Sequence, residues 1–347
     1  MHCQAKKDGI VEDRGADPIS VDLFKLILEW SIMRNNCFMW FWTLCQWNCM
    51  ARASNIDPLG FHNITLGPDT IIIKYDESKK DKAGEKLSEK NVYANPGNWK
   101  ECFWTSLGIH IALNQELLSH SEKLFLMPGT KEGAAAARYQ SQLIELINQE
   151  SETVSYHIRL NHANAYGLRK GSATRATSGT TCPPPIPSIA RRGEWSMGTV
   201  LDVYWHFSEP GDHYLGRILA GLDPLKESFS ELPPHWKVTN PMDHPRIKEA
   251  ANDVYGPIMD AHMTIDNNPK GLLLRCLACI VYHSDELLKV TLEIPGHNFT
   301  KISILHDPVL LSDLKELVTI DSTVGVMENP TGIPPHIHQA VQMKVGV

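Results

Sequence analysis

The segment EWSMGTVLDVY, residues 194–204, places Tyr204 nine residues after Trp195. Gly193 and Gly198 flank the tryptophan, so this part of the chain is predicted to be turns and short helices. Taken alone, both aromatic residues are of the kind that usually packs in a core. A functional interpretation therefore needs support from other parts of the chain.

Three basic segments precede this one. Arg169 lies near the start of a predicted helix, where the helix dipole disfavours a cation and favours an anion. A phosphate bound at that helix end would remove the conflict. The three segments are residues 50–55 with Arg52 beside turn-forming residues, residues 79–85 with Lys79, Lys80 and Lys82 on a predicted β-hairpin, and residues 166–171 with Tyr166, Arg169 and Lys170.

The order arginine, hairpin lysine, arginine, tryptophan, tyrosine resembles the active-site order of tyrosine recombinases. The chain is most similar to the Crypton type carried by eukaryotic mobile elements, and the resemblance covers most of its length. The strings that carry it are VYANP (92–96), LRKGSAT (168–174), EWSMGTVLDVY (194–204) and GDHYLGRILAGL (211–222), with ELPPHW (231–236) and VYHSDEL (281–287) in a helical extension.

The resemblance implies cleavage and rejoining of DNA strands through a 3′-phosphotyrosine, without a metal or other cofactor. Two guanidinium groups can hold a phosphodiester bidentately while its charge develops. A tyrosine whose pKa is lowered by nearby cations can form the covalent intermediate. The implied roles are Tyr204 as nucleophile, Arg52 and Arg169 as phosphate ligands, Lys79 as general acid, Trp195 as an indole donor to a phosphate oxygen, Tyr166 in the HxxR element, and Lys80, Lys82 and Lys170 as DNA contacts.

One position departs from the family pattern. Tyr166 stands where the histidine of HxxR is usual, and a phenol cannot act as an acid–base group near neutral pH as imidazole can. His162 would reach the site only with a shifted register. The alternative function is therefore a domesticated DNA-binding protein that keeps the fold without the chemistry. A type IB topoisomerase is a second alternative, which the EWSMG and GDHYLGR strings disfavour.

Composition limits the other possibilities. The 347 residues are 42% hydrophobic, which is enough for packed cores, and the net charge of −7 requires any DNA contact to be a local basic surface. The apolar run at residues 38–50 is too short to span a bilayer. The cysteines, including the CxxC of Cys276 and Cys279, are expected to pack as small hydrophobic residues, and no metal site is expected. The resemblance implies double-stranded DNA as partner, a tetramer on paired sites if the enzyme is active, and a nuclear location.

The predicted fold class is mainly α with a small β-sheet (α+β), as in the catalytic domain of the recombinases. We expect a disordered tail at 1–17, a catalytic domain at 18–220, a helical extension at 221–325 and a flexible tail at 326–347, without an N-terminal core-binding domain. Apolar periodicity predicts helices near 23–30, 38–52, 99–113, 134–149, 167–178, 246–259, 271–284 and 307–318, and a hairpin from strands near 71–75 and 91–94.

Overall fold

The computed structural model describes residues 15–76, 89–129, 131–198, 209–261, 269–321 and 330–333. These residues form fourteen α-helices and two small antiparallel sheets, which confirms the mainly α class with a small β-sheet. The helices are α1 (Val21–Met33), α2 (Cys37–Asn48), α3 (Ala53–Ile56), α4 (Phe103–Leu113), α5 (Gln115–Leu118), α6 (Ala135–Gln149), α7 (Ser151–Ser155), α8 (Tyr166–Ser178), α9 (Ile186–Arg192), α10 (Glu209–Leu219), α11 (Pro245–Ala261), α12 (Pro269–Tyr282), α13 (Ser284–Glu293) and α14 (Pro308–Leu317).

Helix α2 is the central element of the core. All twelve of its residues are buried, as expected for a helix that is apolar on every side, and it packs against α1, α4 and α8. The sequence predicts that this helix continues to about Arg52, and this is wrong. It ends at Asn48 because Met50 adopts a left-handed conformation with φ 49°, and the Ala51 N–H then donates to the Gln46 carbonyl at 3.0 Å.

The larger sheet contains the predicted hairpin. Strands β1 (Ile64–Leu66), β2 (Ile71–Ile73) and β3 (Lys90–Val92) pair antiparallel in that order, with Ile73 opposite Lys90. The hairpin of β2 and β3 is therefore confirmed. Its loop, with Lys79, Lys80 and Lys82, lies outside the described residues.

Helix α10 lies across β3 at very short range. A Cβ atom on Gly216 would come within 2.1 Å of the Asn91 carbonyl oxygen, so only glycine allows this approach. A similar contact occurs where α8 meets the chain before α1, since a Cβ on Gly171 would lie 1.9 Å from the Ile19 carbonyl oxygen. Two glycines from the recombinase-like strings thus allow close backbone packing around one region of the fold.

The C-terminal helices share a core with the N-terminal half. Helix α12 packs on α4, where a Cβ on Gly108 would lie 2.8 Å from the Cβ of Cys276, and the Tyr255 hydroxyl donates to the Gly108 carbonyl at 3.1 Å. Strands β4 (His235–Trp236) and β5 (Val318–Thr319) form the second sheet, and Trp236 joins the same buried cluster. A single apolar cluster therefore unites both regions, and the domain boundary at 220–221 stays a prediction.

Six cysteines are buried in the structure. Cys276 and Cys279 lie in the apolar interior of α12, in agreement with the prediction that they pack as hydrophobic residues. Within the described ranges, no three His, Cys, Asp or Glu side chains are arranged to hold a metal ion. No helix in those ranges has the length and hydropathy needed to cross a membrane. The other four buried cysteines are Cys37, Cys45, Cys49 and Cys102.

Candidate functional site

Arg52 and Arg169 come from distant parts of the chain and meet at one turn. Arg52 is the N-cap residue of α3, and its Nη1 lies 3.3 Å from Oε2 of Glu194. Arg169 lies in the first turn of α8, and its Nη2 donates to the Gly193 carbonyl. The turn at Gly193 and Glu194, directly after α9, therefore brings the two predicted phosphate ligands into one site.

Arg169 is a buried cation with unused hydrogen-bonding capacity. Its residue is only 2% exposed, and its Nε has no acceptor among the described residues. Burial and then the charge of Arg52 lower the pKa of Arg169, while the nearby Glu194 and Tyr166 oppose that shift. Because the pKa of a guanidinium is so high, the group stays protonated. Two protonated arginines that repel one another at a buried turn form a site suited to an anion.

Trp195 packs against Arg169, and its role as an indole donor to a phosphate oxygen stays a prediction. The guanidinium carbon lies 5.5 Å from the centroid of the Trp195 ring, within the range of a cation–π contact. The tryptophan is 39% exposed, so one part of the ring covers the arginine while another faces solvent. An exposed indole beside a buried guanidinium fits a surface that a ligand approaches.

Lys90 and Glu194 belong to the site, and sequence reasoning did not select either of them. Lys90 opens β3 with its side chain 1% exposed, and its Nζ lies 3.7 Å from Oε1 of Glu194 and 4.0 Å from the centroid of the Tyr75 ring. Burial lowers the pKa of Lys90, and the Glu194 carboxylate opposes that shift. Lys90 could have been identified from the sequence because it directly follows the polar segment and begins the second strand of the hairpin.

Tyr166 and Lys170 lie at the outer side of the site. Tyr166 is 47% exposed, and the Lys170 Nζ lies 5.9 Å from its ring centroid. The same Nζ donates to the Ala16 carbonyl at 2.7 Å, so Lys170 also anchors the segment before α1. Its predicted DNA contact stays a prediction. His162 is buried against the segment before α1, with Nδ1 2.7 Å from the Gly15 carbonyl oxygen.

Four of the predicted site residues lie outside the described residues, in 77–88 between β2 and β3 and in 199–208 before α10. They are Tyr204, Lys79, Lys80 and Lys82.

Gln46 holds the two arginine-bearing segments together. Its buried side-chain amide donates to the Ala51 carbonyl at 3.3 Å, just before Arg52, and to the Ala165 carbonyl at 2.9 Å, just before α8. Its oxygen accepts from the Trp42 indole at 3.0 Å. One side chain thus fixes the separation of the backbones that carry Arg52 and Arg169.

We expect Gln46→Leu to lower the free energy of unfolding by about 2–3 kcal/mol, because two carbonyls and one indole each lose a buried side-chain partner. Chemical denaturation monitored by circular dichroism would measure the change. Gln149→Leu, at an exposed position of α6, is the control and should change the stability by about 0.5 kcal/mol or less. Equal stabilities of the two variants would contradict this role for Gln46.

The fold and the site define a mainly helical protein with a cation cluster, in which two buried cations, Lys90 and Arg169, and the partly exposed Arg52 contact the turn of Gly193 and Glu194. Comparison with protein-family models, with curated proteins and with solved structures gave no match. Any assignment of function therefore depends on the chemistry of this cluster and on the sequence strings.

Proposed function

We propose that this protein cleaves and rejoins DNA strands as a tyrosine recombinase, with the phosphodiester bound by Arg52 and Arg169. The observation that carries the proposal is the convergence of these two arginines on the turn that begins the EWSMG string. Paired guanidinium groups at fixed positions stabilise the charge that develops on the equatorial oxygens of a phosphoryl transition state.

In the proposed reaction, the Tyr204 oxygen attacks phosphorus and its proton passes to solvent. The bond from phosphorus to the 5′-oxygen breaks, and the departing oxygen takes a proton from a lysine. A 5′-hydroxyl from another strand then attacks the phosphotyrosine and gives its proton back to the lysine, while the Tyr204 oxygen leaves phosphorus and takes a proton from solvent. Trp195 packs on Arg169 and keeps its guanidinium in place.

Two lysines are candidates for the proton donor. The resemblance selects Lys79 on the hairpin loop, whereas Lys90 already lies within the described site. Burial lowers the pKa of Lys90, which makes its ammonium a better acid than an exposed lysine. Both lysines belong to the same hairpin, so this hairpin supplies the proton donor in either case.

The second candidate function is a DNA-binding protein that keeps the fold and has lost the chemistry. The exposed Tyr166 favours it, since a phenol replaces the imidazole of the family at the edge of the site. In either case we propose double-stranded DNA as the partner and the nucleus as the location. A tetramer on paired DNA sites would apply to the active enzyme.

A nicked suicide DNA substrate tests the proposal. We expect the wild-type protein to give a covalent adduct that migrates slowly on a denaturing gel, and Tyr204→Phe to give none, because the phosphotyrosine bond cannot form. Tyr156→Phe, at a tyrosine that is 82% exposed on the surface, is the control and should retain the adduct. A native gel that shows a DNA complex without any adduct would favour the second candidate function, and the lack of both would contradict DNA binding itself.

A further inference from the structure

The carboxylate of Glu194 occupies the centre of the cation cluster. Its two oxygens face Arg52 at 3.3 Å and Lys90 at 3.7 Å, and its side chain is only 10% exposed. Arg169 holds the preceding carbonyl, that of Gly193. A carboxylate of the chain itself therefore lies among the cations that are proposed to bind the phosphodiester.

Among the residues that the structure describes, this arrangement leaves both a donor and an acceptor without hydrogen bonds. Glu194 Oε1 is buried and accepts no hydrogen bond from these residues, since the Lys90 Nζ is too distant for one, and Arg169 Nε donates none to them. Within the described residues the Glu194 carboxylate pairs with Arg52 and Lys90 but not with Arg169, whereas a tetrahedral oxyanion presents more acceptor oxygens in more directions. The cluster is thus better matched to a phosphate than to the carboxylate that it holds.

The backbone at Glu194 is also held in an unfavourable conformation. Its φ of 53° lies in the left-handed region, which a glutamate rarely adopts because Cβ approaches the carbonyl oxygen. Two backbone hydrogen bonds at the end of α9 hold this conformation: the Glu194 N–H donates to the Arg191 carbonyl at 2.9 Å, and the Trp195 N–H donates to the Ala190 carbonyl at 2.8 Å. The end of α9 therefore fixes the backbone from which the carboxylate reaches Arg52 and Lys90.

We infer that Glu194 is an internal anion that closes the phosphate site, and that a phosphate-containing ligand must displace its carboxylate from Arg52 and Lys90. The inference rests on the proposed function, since it concerns the same site. It adds a regulatory contact: the free protein keeps Arg52 and Lys90 paired with Glu194, and only a ligand with several acceptor oxygens releases them. Such a contact would disfavour simple monovalent anions and carboxylates.

Binding of inorganic phosphate tests the inference without DNA. Phosphate would be titrated into the full chain at constant ionic strength, and binding followed by the ³¹P line width. We expect Glu194→Gln to bind phosphate about tenfold more tightly than the wild type, because one negative charge is removed within a few ångströms of the bound anion. Glu293→Gln, which removes the same charge from an exposed position at the end of α13, should bind like the wild type.

Two further variants complete the test. Glu194→Gly removes the carboxylate and suits the left-handed backbone, so it should fold and show the same gain. Arg169→Ala added to Glu194→Gln should remove the gain. Equal phosphate affinity of wild type and both Glu194 variants, or a gain that persists without Arg169, would overturn the inference. Tighter phosphate binding together with no DNA adduct supports the inference and contradicts the proposed function.

Discussion

Asp212→Ala should lower the free energy of unfolding by about 3–5 kcal/mol, the usual cost of removing one partner from a buried ion pair. Its carboxylate lies 2.7 Å from Arg192 Nη1, and both side chains are fully buried. The other carboxylate oxygen accepts from the Asn91 backbone N–H at 2.8 Å and from its side-chain amide at 3.0 Å. The substitution leaves a buried guanidinium and two buried donors without this acceptor.

Urea denaturation would measure the loss, and an exposed ion pair supplies the control. Glu29→Ala breaks a pair with Lys100 in which both side chains reach solvent, and it should cost about 1 kcal/mol or less. If Asp212→Ala lowers the free energy of unfolding by a similarly small amount, water or rearranged neighbours must accept the hydrogen bonds of Arg192 in its place. Replacing both members, as Arg192→Met with Asp212→Leu, should recover little stability. The reason is that Arg192 also donates to the carbonyls of Asn48 and Asn91, at 3.0 and 2.8 Å.

The ion pair of Arg192 and Asp212 also determines the position of the cations near Glu194. Asn91 follows Lys90 directly on β3, and Arg192 precedes the turn of Gly193 and Glu194. The bonds from Arg192 and Asp212 to Asn91 therefore fix the start of β3 against the end of α9. This contact sets the distance from Lys90 to Glu194, so the stability of the fold and the geometry of the cations depend on the same interactions.

The sequence predicts the regular elements well because their signals are local. Helices such as α6 and α8 and the hairpin of β2 and β3 follow from apolar spacing and from polar or glycine-rich breaks. The end of α2 was missed because it depends on a left-handed Met50 and on Gln46, whose partners Ala51 and Ala165 bring in a distant segment. No local pattern reports such a tertiary contact.

The candidate site was predicted only in part for the same reason. Arg52, Arg169 and Trp195 were selected by an ordered resemblance, and the structure places all three at one turn. Lys90 and Glu194 were not selected, because a charged residue in sequence is most often at the surface. Their side chains meet where the start of β3 contacts the turn after α9, a tertiary contact that sequence spacing does not encode.

Arg169→Ala should reduce the rate of the proposed DNA cleavage by about 10²–10³-fold, the usual effect of removing one preorganised group that stabilises a transition-state oxyanion. Arg169 is the buried member of the arginine pair, and its Nε has no acceptor among the described residues, so its guanidinium is available to an incoming phosphate oxygen. Single-turnover kinetics on the suicide substrate at saturating protein would separate the rate of cleavage from the affinity for DNA.

Two variants separate this effect from a general loss of charge. Arg175→Ala removes a cation from the same helix, where it donates to the Gly179 carbonyl, and it should weaken DNA binding at low salt while the cleavage rate at saturation changes little. Arg169→Lys keeps the charge but lacks the planar fork that binds two oxygens, so it should still cleave at least about tenfold more slowly than the wild type. Full activity of Arg169→Lys would reduce the role of Arg169 to that of a point charge. Equal losses of cleavage rate for Arg175→Ala and Arg169→Ala would show that the cluster at Glu194 is not the site of the chemistry.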